Sequence, residues 1–165
     1  WDQLIKHYVK TNAGKTVTTS GFQKSAEMIA GEKLNWFFDQ WLYSIGHPVF
    51  EVKKKYDADR KQLILEVLQT QEQDTTTHFK KVKYFKGKMD IALDGEVQTV
   101  WLEAKHKNVF VFNLPNEPRL VNFDHESSWI KEMIFEKSPD ELIYQFENDK
   151  DILGRQWAMT ELVGY

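Results

Sequence analysis

The sequence predicts a mixed α and β chain: an antiparallel β-sandwich of about eight strands, flanked by an N-terminal helical segment and a C-terminal pair of helices. Two observations carry this. Apolar residues recur at helical spacing as far as residue 47 and again from residue 137, whereas residues 48–136 follow the twofold period of strands. Within that middle block, short strand-like runs follow one another with frequent turns and no intervening helix, which is how sandwiches read. The predicted organisation is a helical tail at 1–47, a sandwich at 48–136 and the start of a helical domain at 137–165.

Trp1, Leu4, Ile5, Tyr8 and Val9 share one helical face, and Asn12 to Gly14 stop it. A second helix is expected to begin at Ser20, with Gln23 at capping-box spacing, and to bury Phe22, Ala26, Ile29 and Ala30 before ending at Gly31. In the third, Leu34, Phe37, Phe38, Trp41, Leu42 and Ile45 form the stripe, with Gly46 free to cap and Pro48 barring continuation. Trp36 and Tyr43 lie off the stripe. Together with Phe38 and Trp41, they are expected to pack the tail against the sandwich.

Phe50, Val52 and Tyr56 alternate with Glu51, Lys53 and Lys55 as in a half-buried strand. Leu63 to Leu68 is almost wholly apolar, which predicts burial on both faces. Further strands are expected near 79–84, 89–94, 97–104, 109–114, 119–123 and 129–136, with Gln69 to His78 as a long hairpin loop. Asp94-Gly95 between apolar runs is a two-residue hairpin signal. Ser138-Pro139-Asp140-Glu141 combines a capping serine, a proline at the first helical position and a glutamate at the third. Leu142, Ile143 and Phe146 should then face inward. A last helix starts near Asp151, with Ile152, Trp157, Ala158 and Leu162 apolar. Two such helices cannot cover both their faces, so further helices are expected after them. Because the first residue, Trp1, falls inside a helical pattern, the chain is expected to be a piece of a longer one.

The composition narrows the chemistry. In 165 residues there is no cysteine, which removes disulfides, thiolate metal sites and a cysteine nucleophile. Twenty-two basic side chains against 25 acidic ones give a net charge of −3, the wrong sign for a general nucleic-acid binder. The longest apolar runs, such as Val109 to Phe112, are far short of the ~20 residues a spanning helix needs.

No motif assembles a catalytic centre. His125-Glu126-Ser127-Ser128-Trp129 opens like the zinc signature H-E-x-x-H, but an indole stands where the second histidine belongs, and the stretch leads into a strand. It reads as a polar turn. His7, His47, His78 and His106 are scattered without ligand spacing. Lys80, Lys81, Lys83, Lys86 and Lys88 surround Tyr84 and Phe85, a mixture that could follow a phosphate backbone but equally makes a charged sheet edge. Lys53-Lys54-Lys55 reads as a solvated strand face. Gly87 and Gly95 belong to turns rather than a phosphate loop, and Ser20, Ser25 and Ser44 have no histidine partner. Asp57/Asp59 and Asp140/Glu141 are explained by turn and cap. Catalytic, cofactor-binding and metal-ligating residues are accordingly all expected to be none. Phe110 and Phe112 share a strand face, and with Trp101 they could line a sugar site in a stand-alone binding module; core packing explains all three more simply.

Residues 22–52, FQKSAEMIAGEKLNWFFDQWLYSIGHPVFEV, resemble the close of the catalytic domain in aminopeptidase-N-type zinc metallopeptidases, through Phe37, Phe38, Trp41, Gly46 and Pro48. Leu65, Val67, Gln69 and Gln71 are similar to that family's next strand. Pro118, Val121 and Asp124 are similar to a late one, Ser138 to Phe146 to the first helix beyond it, and Asp151, Arg155 and Ala158 to the start of its helical repeats. The resemblance implies a parent that is a zinc-dependent aminopeptidase, removing N-terminal residues from peptides with a metal-activated water. It also implies that zinc and peptide substrate belong to the parent, while this stretch braces the catalytic and helical domains of the same polypeptide. The family's H-E-x-x-H, its glutamate ligand, its tyrosine and its G-x-M-E-N motif are not in this sequence. A parent without the metal site, serving as a scaffold as one general transcription-factor subunit of similar build does, is the alternative.

Overall fold

The computed structural model describes residues 1–72, 76 and 78–164. The chain divides into two compact units, Trp1–Ile45 with His78–Lys81, and Gly46–Thr77 with Val82–Tyr165.

The first unit is helical: α1 (Asp2–Asn12), α2 (Thr19–Ala30) and α3 (Asn35–Trp41). Its core is Leu4, Ala26 and Phe38, with Phe22 and Leu34 packed against them. The cap of α2 is Thr18, whose hydroxyl accepts from the Gly21 amide at 3.2 Å, two residues before the expected serine. Gly31 ends the helix in the left-handed conformation, as its position predicts. The α2–α3 corner is held by Glu27, whose carboxylate accepts from Gln23, Lys33 and the Leu34 amide; these bonds, Gln23's first, hold its pKa down to about 2.

The third helix is shorter than its apolar stripe. The amides of Leu42 and Tyr43 both turn back onto the Phe38 carbonyl, at 2.9 and 3.0 Å, closing the helix at Trp41. Ile45 is already extended, bridging to Lys81. Of the four residues expected to pack this tail on the sandwich, Phe38 lies in the helical unit's own core, Trp36 and Trp41 are half-buried, and Tyr43 is exposed.

Among the described residues, the second unit holds seven strands in two sheets. They are β1 (Val49–Asp57), β2 (Gln62–Gln69), β3 (Gly87–Leu93), β4 (Glu96–Leu102), β5 (Lys107–Asn113), β6 (Val121–Phe123) and β7 (Glu132–Phe135). One sheet runs β5-β2-β1-β7 and the other β4-β3-β6. The pairings are antiparallel except that β7 lies parallel to β1, Phe50 opposite Met133. Two helices follow, α4 (Pro139–Asn148) and α5 (Ile152–Leu162). The predicted sandwich with flanking helices is thus the observed architecture. The Asp94-Gly95 turn joins β3 to β4 with both residues at positive φ, the geometry that follows a strand's own twist.

Between the sheets lie Phe50, Val52, Leu63, Leu65, Val67, Met89, Ile91, Leu102, Phe112 and Phe123. β2 buries alternate residues, Leu63, Leu65, Val67 and Gln69, rather than both faces. Phe112 is core and Phe110 packs on it, but Trp101, expected inside, is 40% exposed on the outer face of β4, opposite Lys88.

The strand expected at 79–84 does not form, and Gln69 explains its absence. Its buried side chain accepts from the Phe85 amide at 2.7 Å and donates to the Phe85 carbonyl at 2.8 Å, while Gln71 donates to the Lys83 carbonyl at 2.8 Å. Side-chain amides thus fill the bonding positions a neighbouring strand would occupy. Of the loop expected at 69–78, residues 73–75 and 77 lie outside the described residues.

Phe50 is fully buried, with its ring edge-on to Phe123 and Trp129 at 5.6 and 5.7 Å. Phe50→Ala should lower the unfolding free energy by about 3–5 kcal/mol in urea melts. Trp1→Ala, at a site 81% exposed, should change it by less than about 0.5 kcal/mol.

Candidate functional site: a buried charged joint

The densest polar chemistry of the second unit lies where the β4-β3-β6 sheet meets α4 and α5. Ser138 caps α4 in the predicted capping box, its hydroxyl accepting from the Glu141 amide and its own amide donating to Glu141 Oε2. The other oxygen of Glu141 pairs with Lys54 Nζ, tying the helix start to β1. Burial pushes the Glu141 carboxyl up, but Lys54 and the Ser138 bonds outweigh it and hold the group below the usual carboxylate range.

Deeper in, Asp149, Asp151, Asn122, Gln145 and Lys137 are all buried. The Asn122 amide donates to Asp149 Oδ2 and Asp151 Oδ2, both at 3.0 Å. Gln145 donates to Asp149 Oδ2 at 3.1 Å and to the Gly154 carbonyl at 3.2 Å. Lys137 Nζ donates to the Val121 carbonyl and to Gln145 Oε1, both at 2.5 Å. It also lies 4.5 Å from the Phe135 ring centre and 5.1 Å from that of Trp157. Burial is the main reason its pKa falls from 10.5 to about 7; Lys54 lowers it further, and Glu141 and Asp149 oppose the change.

Asp151 does several things at once. Oδ1 caps α5 through the Leu153 amide at 2.9 Å, while Oδ2 accepts from Asn122 and, at 2.7 Å, from the Glu126 amide. Burial raises this carboxyl, but the bonds from Glu126, Asn122, Leu153 and Gly154 outweigh it and keep the group ionised. The segment it grips is a short 3-10 turn, His125–Ser127, in which Glu126 and Ser127 have positive φ, as does Asp124 just before it. Non-glycine residues reach that region at a cost of about 1–3 kcal/mol each. What offsets the cost is Asp124, whose buried carboxylate accepts from the Ser128 amide and hydroxyl, the Trp129 amide and Lys131 Nζ at 2.6 Å.

The zinc-like string therefore forms a turn that belongs to this joint, as its reading as a polar turn anticipates. Glu126 contributes its backbone, and Trp129 packs on Phe50 while its indole donates to the Lys88 carbonyl. His125 Nδ1 is buried without a hydrogen-bond partner, 3.8 Å from Asp151 Oδ2. Among the described residues no trio of His, Asp and Glu is placed to hold a metal ion. The lysine run is dispersed: Lys80 and Lys81 go with the helical unit, Lys83 lies over Tyr84, and Phe85 is fully buried, so its ring cannot stack on a base. Tyr84 meets His106 at 6.2 Å.

Hydrophobic pattern misses most of this joint. Ile143 and Phe146, expected inward, are exposed, as is the apolar Ile152, while Gln145 and Gly154 take the buried positions. Gly154 is the readable clue, a glycine inside a helix. A Cβ there would lie 2.5 Å from both Asn122 Nδ2 and Asp149 Oδ2.

Over its whole length this architecture has a solved counterpart. The crystal structure of Legionella pneumophila aminopeptidase A in complex with aspartic acid matches 98% of the chain with a TM-score of 0.79, at 19% identity. The fold is aminopeptidase-like. In sequence, 79 residues, 48% of the chain, are 33% identical to transcription initiation factor TFIID subunit 2 of Saccharomyces cerevisiae. The chain spans 18% of the aminopeptidase and 6% of the yeast subunit. No protein-family profile matches it. Among the described residues, no helix is long and apolar enough to cross a membrane.

Two substitutions probe the joint. Gly154→Ala gains helix propensity worth about 1 kcal/mol but drives a methyl into Asn122 and Asp149, so thermal melts should show a net loss of about 1–3 kcal/mol. Asp124→Asn keeps a residue tolerant of positive φ yet strands Lys131, with an expected loss of about 3–5 kcal/mol.

Proposed function

We propose that this chain is a non-catalytic bracing stretch of a larger aminopeptidase-built polypeptide, and that the whole protein acts as a scaffold subunit in transcription initiation. On this reading residues 1–47 close a catalytic-type domain, 48–136 form the sandwich, and 137–165 begin a helical domain fixed in direction by the sandwich. The observation that carries the bracing role is the joint: a run of buried, mutually bonded polar groups from Lys137 through Gln145, Asp149 and Asn122 to Asp151. Such a network specifies one geometry, because shifting the helices would strand several desolvated groups together. The scaffold role is supported by the 33% identity to the yeast TFIID subunit over 79 residues.

The second reading, a zinc-dependent aminopeptidase parent, is favoured by the aminopeptidase-like fold. The described residues do not themselves fit a zinc ion. His125 and Asp151 form a single pair, and the Asp151 oxygen involved is already engaged by Asn122 and Glu126. No catalytic step is assigned to this stretch.

Purification of the full-length protein separates the two. The scaffold reading expects co-fractionation with other transcription initiation factors, less than stoichiometric zinc by elemental analysis, and no hydrolysis of amino-acid amide substrates. Stoichiometric zinc together with aminopeptidase activity would overturn it in favour of the enzyme.

A further inference from the structure

Each sheet of the sandwich has two edge strands, β5 and β7 in one and β4 and β6 in the other. Three of them are short or guarded by charge. β6 has three residues, β7 has four and opens on Glu132, and the central Thr99 of β4 is bonded to Asp90 at 2.5 Å. β5 differs. From Asn108 to Asn113 it carries no charged residue and no proline, two devices that keep an edge from pairing. Its outer face is apolar, with Val109 50% and Val111 52% exposed.

The backbone along that edge is open. The Gln69 amide donates to the His106 carbonyl at 2.8 Å and the Leu114 amide to the Lys61 carbonyl at 2.9 Å, which fixes the phase of the β2–β5 ladder. Even-numbered residues of β5 exchange bonds with β2, so the N–H and C=O groups of Lys107, Val109, Val111 and Asn113 point away from the sheet. Among the described residues, no backbone group meets them.

We propose that β5 is a self-pairing edge, which joins a second copy of this chain antiparallel about a twofold axis at Phe110. A second copy is the occupant because the strand complements itself. In this register Lys107 faces Asn113 of the second copy, Val109 faces Val111, and Phe110 faces Phe110. No like charges meet, and apolar side chains pair on both faces of the joined sheet. The residues whose backbone groups point outward are the ones that fall opposite one another, so each such pair can exchange both of its bonds. Lys107 already pairs with Glu66 on β2, so joining leaves no new charge uncompensated. A slip by two residues would instead set Lys107 against Val111 or Pro115.

The experiment is sedimentation equilibrium on the full-length protein. A reversible dimer is expected, with a Kd on the order of 10–100 μM because a single strand pair lies at the small end of interface sizes. Val109→Lys combined with Val111→Lys brings like charges together at both symmetric pairs and should weaken association at least about tenfold. Val109→Lys combined with Val111→Glu sets lysine opposite glutamate and should return the Kd to within about threefold of the unmodified protein. Should a variant fail to fold, hydrogen exchange by mass spectrometry on the unmodified protein decides: a peptide covering Lys107–Asn113 should gain protection as concentration rises through the Kd. A protein that stays monomeric up to about 1 mM, association that survives the double-lysine variant, a lysine–glutamate variant that does not recover it, or protection that ignores concentration would each overturn the proposal.

Discussion

Asp151 is one side chain serving three structures. Its carboxylate caps α5, receives the Asn122 amide from β6 and fixes the Glu126 amide of the strained turn between β6 and β7. Removing it would uncap a helix, take one of two acceptors from the buried Asn122 amide and release a backbone held at positive φ. Glu126 and Ser127 can keep their conformation because Asp151 on one side and Asp124 on the other supply more bonds than the turn could make alone. The direction of α5 is therefore set by the sheet rather than by the apolar face of the helix, which points largely at solvent.

A similar device recurs between β2 and the start of β3. Gln69 substitutes for a strand by bonding both backbone groups of Phe85, and Gln71 accepts from Val49 and donates to Lys83. In both places a buried side-chain amide joins segments that have no regular ladder between them. Such amides offer two donors and a two-lone-pair acceptor in a fixed plane, so they mimic a peptide group.

This also sets what could be read in the sequence. Local chemistry was legible: Gly31, the Asp94-Gly95 hairpin and the Ser138–Glu141 capping box are decided by residues within a few positions of one another. So were the two periodicities that separate helix from sandwich. The joint was not, because it is assembled across long separations, Asn122 with Asp149 and Asp151, and Lys54 with Glu141. Hydrophobic pattern is blind to a network that buries polar groups, so it points to Ile143 and Phe146 rather than to Gln145 and Gly154. The stripe through Ile45 misled for a related reason. Leu42 and Tyr43 share one carbonyl, which ends the helix while the apolar residues continue.

The fold match and the sequence match together bear on where such a stretch acts. A binding or catalytic stretch would be expected to bring polar groups with unused bonding capacity to a cleft. Here the most elaborate polar cluster is buried and largely internally bonded, and its carboxylates are consumed by caps, amides and Lys131. Chemistry spent on geometry in this way holds α4 and α5 to β6 in one arrangement. An aminopeptidase-like fold at 19% identity fixes the architecture of this stretch, and function is carried by sites placed on a fold rather than by the fold itself.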